Sequence, residues 1–185
     1  QLGWLNYEVA KAGKSSEHKL GPSVFNTKQA QGVFVILPPS LNATTLTLGT
    51  PTSPSNAWYS TNGNDLDVNM TRDVTLPSAP SITLNLKAWY EIETCWDYAY
   101  VRVSTDGGAT YTNLHTNVSD SGNENGQNFG EGITGISGAA KQCDAVSGNP
   151  SWVPVTADLT PYAGKTVKLQ VRYWTDGAAV GRGFE

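Results

Sequence analysis

The chain contains 185 residues, of which 15% are charged and 10% are aromatic, with 19 glycines and 10 prolines. This composition is typical of a globular β protein with long turns and argues against an intrinsically disordered chain. The formal net charge of −4 gives no basic surface for nucleic acid. The longest apolar run, V33-F-V-I-L37, is far shorter than the roughly 20 residues of a membrane-spanning helix. We therefore expect neither nucleic acid nor a membrane as a partner.

The first part of the chain, residues 1–40, carries two strand-like runs. These are L2-G-W-L-N-Y7 and G32-V-F-V-I-L37, and Pro38-Pro39 ends the second. Further along, T50-P-T-S-P-S55 is a turn-rich connector. We expect a β linker segment at 1–40 and a β domain at 41–185.

The residues at the two ends of the chain lead us to expect that it is part of a longer protein. Gln1 is not an initiator residue, and the residues that follow it lack the charged start and apolar core of a signal peptide. At the other end, V180-G-R-G-F-E185 reads as the beginning of a strand. We expect an internal fragment or a processed product, with its last strand truncated.

Three later segments, 81–90, 98–104 and 166–174, alternate apolar and polar residues in the period of a β-strand. The alternate positions Lys168, Gln170 and Arg172 are expected to be exposed. Antiparallel sheets with one apolar face each predict an all-β sandwich, since a single sheet would leave that face in water. The apolar residues that share a face are Ile82, Leu84, Leu86 and Ala88, then Ala99, Val101 and Val103, then Val167, Leu169, Val171 and Tyr173.

Residues 119–150 are too rich in glycine and asparagine for regular structure. A loop this long is uncommon within a compact domain and is usually functional or mobile. Cys143 lies near its end, and neither Cys143 nor Cys95 has the neighbours of a zinc or redox motif. We expect a Cys95–Cys143 disulfide that ties the loop to the sheet. The alternative is two unpaired thiols, as in a cytosolic protein.

The segment S104-T-D-G-G-A-T-Y111 resembles the Asp-box, a hairpin turn found in sialidases and many unrelated β proteins. Gly107 and Gly108 tolerate positive φ, and the Asp106 carboxylate is suited to accept backbone N–H bonds in the turn. Tyr111 is expected to pack on the hairpin. This pattern indicates a structural role.

The sequence contains no recognisable catalytic machinery. A zinc hydrolase of the H-E-x-x-H type needs two histidines one helical turn apart and a glutamate. The two histidines here, His18 and His115, are far apart and lack that context. A P-loop, a G-x-S-x-G motif and a paired catalytic Cys/His are also absent from the sequence. We therefore assign no catalytic residue and expect the chain alone not to be an enzyme.

Five carboxylates fall in two short segments, N62-G-N-D-L-D-V-N69 and W89-Y-E-I-E-T-C-W-D-Y98. Carboxylates that alternate along an extended chain share a face, and hard cations such as calcium bind six to eight oxygens. We predict a structural calcium site that both segments build together. The alternative is a set of solvated carboxylates beside strands. The predicted ligands are Asp65 and Asp67 first, then Glu93 and Asp97, then Glu91.

An excess of aromatic residues keeps a carbohydrate-binding module as a rival hypothesis, because exposed aromatic rings stack on sugars. Core and turn packing is the commoner role of aromatic residues in β-sandwiches. The residues concerned are Trp58, Tyr59, Trp89, Tyr90, Trp96, Tyr98, Tyr100 and Trp174.

Three long segments, 57–72, 87–108 and 162–177, resemble the region that follows the catalytic domain of immune inhibitor A peptidases, which are secreted bacterial zinc metallopeptidases. Residues 2–7 and 18–31 look like the segment that joins the peptidase domain to its β-sandwich. The resemblance covers nearly the whole chain, and the three segments occur in the family's order.

The resemblance implies a MAM-like jelly-roll sandwich supported by calcium, with zinc and the H-E-x-x-H motif confined to an upstream domain. Family members continue beyond G-x-G-F with paired aspartates, which this sequence does not reach. We expect a secreted, noncatalytic accessory fragment that stabilises the peptidase or helps present it to protein substrates. Its expected partner is the catalytic domain, either in one chain or as a piece of a nicked enzyme.

Overall fold

The computed structural model describes residues 7–11, 15, 17–21, 30, 32–36, 46–52 and 56–185. The chain divides into two compact units, residues 1–45 and 46–185. In the first unit, β1 (Tyr7–Lys11) pairs in parallel with β2 (Gly32–Ile36). The strand predicted at 32–37 is therefore present, whereas most of the run predicted at 2–7 lies outside the described residues. The joining role of this unit stays a prediction.

The second unit is built from antiparallel strands. The strands are β3 (Asp67–Thr75), β4 (Thr83–Ala88), β5 (Tyr90–Glu91), β6 (Tyr98–Ser104), β7 (Thr112–Asn113), β8 (Val153–Asp158), β9 (Thr166–Trp174) and β10 (Gly183–Phe184). They form a four-stranded sheet in the order β3-β9-β6-β7 and two two-stranded ladders, β4-β8 and β5-β10. The described residues contain no α-helix, only a 3-10 turn at Thr160–Tyr162, and no helix among them is long and apolar enough to cross a membrane.

The hydrophobic core lies between the four-stranded sheet and the β4-β8 ladder. Val101 and Val167 project from the first, and Val155 and Ala157 project from the second, into one buried cluster. The removal of each such valine from water contributes about 1.5–3 kcal/mol. The all-β sandwich predicted from the alternating segments is confirmed. The jelly-roll order of strands stays a prediction.

The outer face of the four-stranded sheet is less open than the alternation predicts. Gln170 is only 7% exposed, so the prediction that it is exposed is wrong. Its side-chain nitrogen donates to Thr71 Oγ1 at 3.0 Å and to Asn69 Oδ1 at 3.3 Å, and its oxygen accepts from Arg102 Nη1 at 3.2 Å. A polar side chain on the outer face is buried here because neighbouring strands supply its hydrogen-bond partners.

The turn at 104–111 has the structural role expected of it. Ser104 Oγ accepts the Gly108 N–H at 2.9 Å, and Asp106 Oδ1 accepts the Thr110 N–H at 2.9 Å. Gly107 has a φ of 75° and Gly108 a φ of 99°, which glycine adopts without strain. Hydrogen bonds that Asp106 accepts from the Thr110 hydroxyl, the Thr110 N–H and the Ser104 hydroxyl lower its pKa.

The long segment at 119–150 forms no strand of its own, as expected, but it is attached to the rest of the unit in several places. Ile133 is fully buried in the core and forms a β-bridge with Ala99. Gly132 lies so close to the sheet that an added Cβ would stand 2.5 Å from Tyr98 Cδ1. The segment therefore covers the start of β6 and leaves Tyr98 and Tyr100 fully buried on that strand's outer side.

Candidate metal centre

Three carboxylates meet where β6 begins and β9 ends. Glu93, Asp97 and Asp176 each offer a carboxylate oxygen, and these oxygens lie within 4.8 Å of one another. The reason is the antiparallel register, in which Tyr98 pairs with Trp174. The residues just before β6 and just after β9 must therefore adjoin at one end of the sheet.

A tight turn holds two of these carboxylates. The backbone N–H groups of Trp96 and Asp97 donate to the Glu93 carbonyl at 3.4 and 3.0 Å. Cys95, within the turn, adopts a φ of 72°, a conformation that non-glycine residues rarely adopt. Its disulfide with Cys143, expected from the sequence, is present in the structure. The disulfide thus attaches the long segment directly to the turn that carries Glu93 and Asp97.

Asp97 is the most constrained member of the cluster. Its side chain is 1% exposed, and Oδ1 accepts the Asp176 N–H at 2.9 Å. The other oxygen, Oδ2, is buried without a hydrogen-bond partner. Burial raises the pKa of Asp97 to about 7, and the nearby carboxylates of Asp176 and Glu93 add to the increase. Burial and neighbouring carboxylates raise the pKa of Glu93 as well.

This arrangement fits a hard cation. A buried carboxylate oxygen without a partner is costly, and like charges this close repel one another unless a cation offsets them. Oxygen ligands from two chain segments are the type of donor set that calcium prefers. The three carboxylates supply part of such a set, and backbone carbonyls and water would supply the rest.

Asp65 lies beside this cluster without belonging to it. Its backbone N–H donates to the Asp176 carbonyl at 2.6 Å, and its φ is 55°. A Cβ added to Gly177 would stand 3.5 Å from Asp65 Oδ1, so this carboxylate faces the turn after Asp176. The structure thus brings the 62–67 segment to the cluster, mainly through its backbone.

The structure does not bring Asp67 and Glu91 into the cluster, because arginines engage both. Arg172 Nε and Nη2 donate to Asp67 Oδ1 and Oδ2 at 2.7 and 2.9 Å. Arg182 pairs with both oxygens of Glu91, and the Gly148 N–H donates to Glu91 Oε1 at 2.7 Å. The hydrogen bond from Arg172 lowers the pKa of Asp67. Burial opposes a low pKa at Glu91, but the Arg182 hydrogen bonds prevail and lower it.

The sequence analysis did not predict Asp176, which takes the place of Asp67 and Glu91 in the cluster. Its signal was available, because Asp176 is the carboxylate two residues after the strongly alternating segment 166–174. The arginine partners were harder to foresee, because each is far from its carboxylate along the chain. Arg172 pairs with Asp67, and Arg182 pairs with Glu91. The calcium ion itself stays a prediction.

The other residues considered for function are spread elsewhere. His115 Nδ1 lies 2.7 Å from Glu131 Oε2. Among the described residues of this unit, no second histidine joins it in a catalytic arrangement. Of the eight aromatic residues considered for sugar binding, only Trp58 and Tyr59 are exposed, at 77% and 37%. The Tyr59 hydroxyl donates to the Arg182 carbonyl at 2.8 Å. Most of this aromatic set therefore packs in the protein and forms no sugar-binding row.

Comparison with known proteins agrees with the fold. Residues 16–185 match the family described as immune inhibitor A-like, MAM domain. Two curated relatives from Vibrio cholerae serotype O1, strains M66-2 and ATCC 39315 / El Tor Inaba N16961, are both named pre-pro-metalloprotease PrtV. Each is 34% identical over 129 residues, which are 69% of this chain and 12% of the relative. The chain thus spans about an eighth of these relatives, and it belongs to the immune inhibitor A-like MAM domain family.

Proposed function

We propose that this chain is a noncatalytic accessory β-sandwich of a secreted, immune inhibitor A-like zinc metallopeptidase. The observation that carries the proposal is the family match over 16–185, in a sequence without an H-E-x-x-H motif. In this proposal the catalytic zinc and its ligands belong to another domain of the parent enzyme, which is also the chief partner. The accessory domain stabilises the peptidase or helps present it to protein substrates.

The proposal includes a structural calcium ion held by Glu93, Asp97 and Asp176, with Asp65 at its border. The buried, unpartnered Oδ2 of Asp97 supports this assignment most directly. The cation would neutralise the crowded carboxylates and join the end of β9 to the turn before β6. This role is structural, because a calcium ion here would fix two chain segments and activate no water for catalysis.

The test of the accessory role is deletion of this domain from a full-length parent peptidase. We expect the deleted enzyme to lose activity faster on heating, because contacts that stabilise the native state slow irreversible inactivation. Half-life at a fixed temperature and the rate of cleavage of a small peptide and of casein are the measurements.

Two outcomes distinguish the two versions of the proposal, and a third contradicts both. A shorter half-life with unchanged initial rates indicates stabilisation. A selective loss of casein cleavage, with normal cleavage of the small peptide, indicates substrate presentation. Equal half-lives and equal rates on both substrates would contradict the accessory role.

A further inference from the structure

A groove of about 380 Å³ opens on the outer face of the four-stranded sheet. Arg102 of β6, Arg172 of β9 and Asn113 of β7 line it. Arg102 and Asn113 are directly paired in the β6–β7 register, so their side chains are neighbours on one face. Tyr111, Phe129, Gly130 and Glu131 complete the lining. We call this site the Arg102 groove.

Of the two arginines in the groove, one forms an ion pair and the other does not. Asp67 neutralises Arg172 through the two hydrogen bonds described above. Arg102 makes no ion pair with any residue that the structure describes, and its one hydrogen bond there goes to the neutral Gln170. Its Nε is buried without a partner. Burial and the charge of Arg172 lower the pKa of Arg102, and the charge of Asp67 opposes this decrease. The Asp67 carboxylate is itself engaged by Arg172, so Arg102 has no ion pair of its own among the described residues.

Acceptors without partners lie next to this cation. Asn113 Nδ2 donates to the carbonyls of Phe129 and Gly130 at 3.1 and 2.7 Å, which fixes the amide. Glu131 Oε2 accepts from Ser119 Oγ at 2.8 Å and lies 2.7 Å from His115 Nδ1. Within the described part of the chain, Asn113 Oδ1 and Glu131 Oε1 have no hydrogen-bond donor.

An aromatic surface completes the groove. Phe129 packs against Tyr100, with ring centroids 5.8 Å apart, and against Trp174 at 5.1 Å. The Arg172 guanidinium lies 5.3 Å from the centre of its ring, and the residue remains 52% exposed. A large apolar side chain held rigidly at the rim of a polar groove is a feature of ligand-binding sites. The Arg102 guanidinium lies 5.0 Å from the centre of the Tyr111 ring, which holds the cation in place.

We propose that the Arg102 groove binds a saccharide that carries a carboxylate, such as a uronic acid residue. Arg102 pairs with the carboxylate, since a guanidinium matches the geometry of that group. Asn113 Oδ1 and Glu131 Oε1 accept hydrogen bonds from ring hydroxyls, and the exposed part of Phe129 contacts the apolar face of the sugar. None of the residues that line this groove belongs to the carboxylate cluster.

The combination of groups favours a saccharide over an acidic peptide. A sugar ring presents several hydroxyl donors close to its carboxylate, which suits one cation flanked by two free acceptors. An acidic peptide offers only backbone N–H groups as donors near its carboxylate, whereas a uronic acid residue offers several hydroxyl groups on one ring.

The test measures binding of digalacturonate to the 185-residue chain by calorimetry at low ionic strength, without a chelator. The comparison ligands are the uncharged dimethyl ester of digalacturonate and an acetylated peptide with two glutamates. We expect binding of digalacturonate, at least tenfold weaker binding of the ester, and tenfold weaker binding to Arg102→Gln. Arg72→Gln is the matched control. Thr71 and Asp73 lie on the groove's face of the sheet, and Arg72, between them on β3, lies on the opposite face. The Arg72→Gln protein should therefore bind digalacturonate like the wild type.

Several results would overturn the proposal. These are an absence of digalacturonate binding to the wild type, equal affinity of Arg102→Gln, or a peptide that binds as tightly as the saccharide. If Arg102→Gln does not fold, Asn113→Ala replaces it and should also weaken the binding of digalacturonate. The role of Arg102 is then decided by whether the wild type binds digalacturonate more tightly than its dimethyl ester. Thermal melting under the same conditions shows whether each variant is folded, so that a loss of binding by a folded Arg102→Gln protein reports on the groove.

Discussion

At the scale of single residues, the carboxylates around Asp97 give the sharpest test of the metal centre. Millimolar calcium should raise the melting temperature of the chain, because a ligand at about 100 times its Kd contributes about 2.7 kcal/mol, or roughly 5–10 °C for a protein of this size. Asp97→Asn and Asp176→Asn should abolish this response. Thermal melting in calcium and in chelator is the measurement.

The matched control for these variants is Asp67→Asn, because Asp67 is engaged by Arg172 and lies outside the cluster. It should keep the full calcium response. In chelator, Asp97→Asn should melt no lower than the wild type, since it removes a buried charge and keeps the oxygen that accepts the Asp176 N–H. A wild type whose melting is the same in calcium and in chelator would refute the site.

At the scale of elements, the disulfide connects the long segment 119–150 to the turn before β6. The chain-entropy relation gives about 4 kcal/mol for a cross-link that closes 48 residues. The double variant Cys95→Ser/Cys143→Ser should therefore unfold at lower urea concentration. It should also need more calcium for half of the maximal melting shift, because the turn carries Glu93 and Asp97. Both quantities follow from urea and calcium titrations of the two proteins.

The control for the disulfide prediction is treatment of the wild type with reductant, which should reproduce the behaviour of the double variant. Quantitative alkylation of both cysteines without prior reduction would show that the bond is absent. An unchanged urea midpoint in the double variant would show that Ile133 and the β-bridges hold the segment without help.

At the scale of the whole molecule, the chain has an organised core and ion pairs but no catalytic constellation in its sequence. We expect the purified 185-residue chain to cleave no casein, because it has no pair of histidines one helical turn apart to hold a catalytic zinc with an activated water. A sensitive fluorescent casein assay with added zinc is the measurement. Cleavage that zinc supports and a chelator abolishes would contradict the prediction, and a full-length family peptidase is the positive control.

The sequence alone determined the features that depend on local pattern. The alternation in 81–90, 98–104 and 166–174 predicted three strands and their apolar faces, since the period of a strand is a property of the backbone. The 104–111 turn was predictable for the same reason, because its hydrogen bonds join residues at most four apart. The family was also evident from the sequence, through three segments in order.

The tertiary structure decided which side chains meet. Asp67 and Glu91 looked like metal ligands until strand pairing placed Arg172 and Arg182 against them. Asp176 joined Glu93 and Asp97 because β6 and β9 are antiparallel neighbours. Such contacts depend on register between strands more than 60 residues apart along the chain, for which no local pattern exists. Strand register also buried Gln170 and left Arg102 without an ion pair to any residue that the structure describes. The charge balance of each face therefore became visible only in the folded protein.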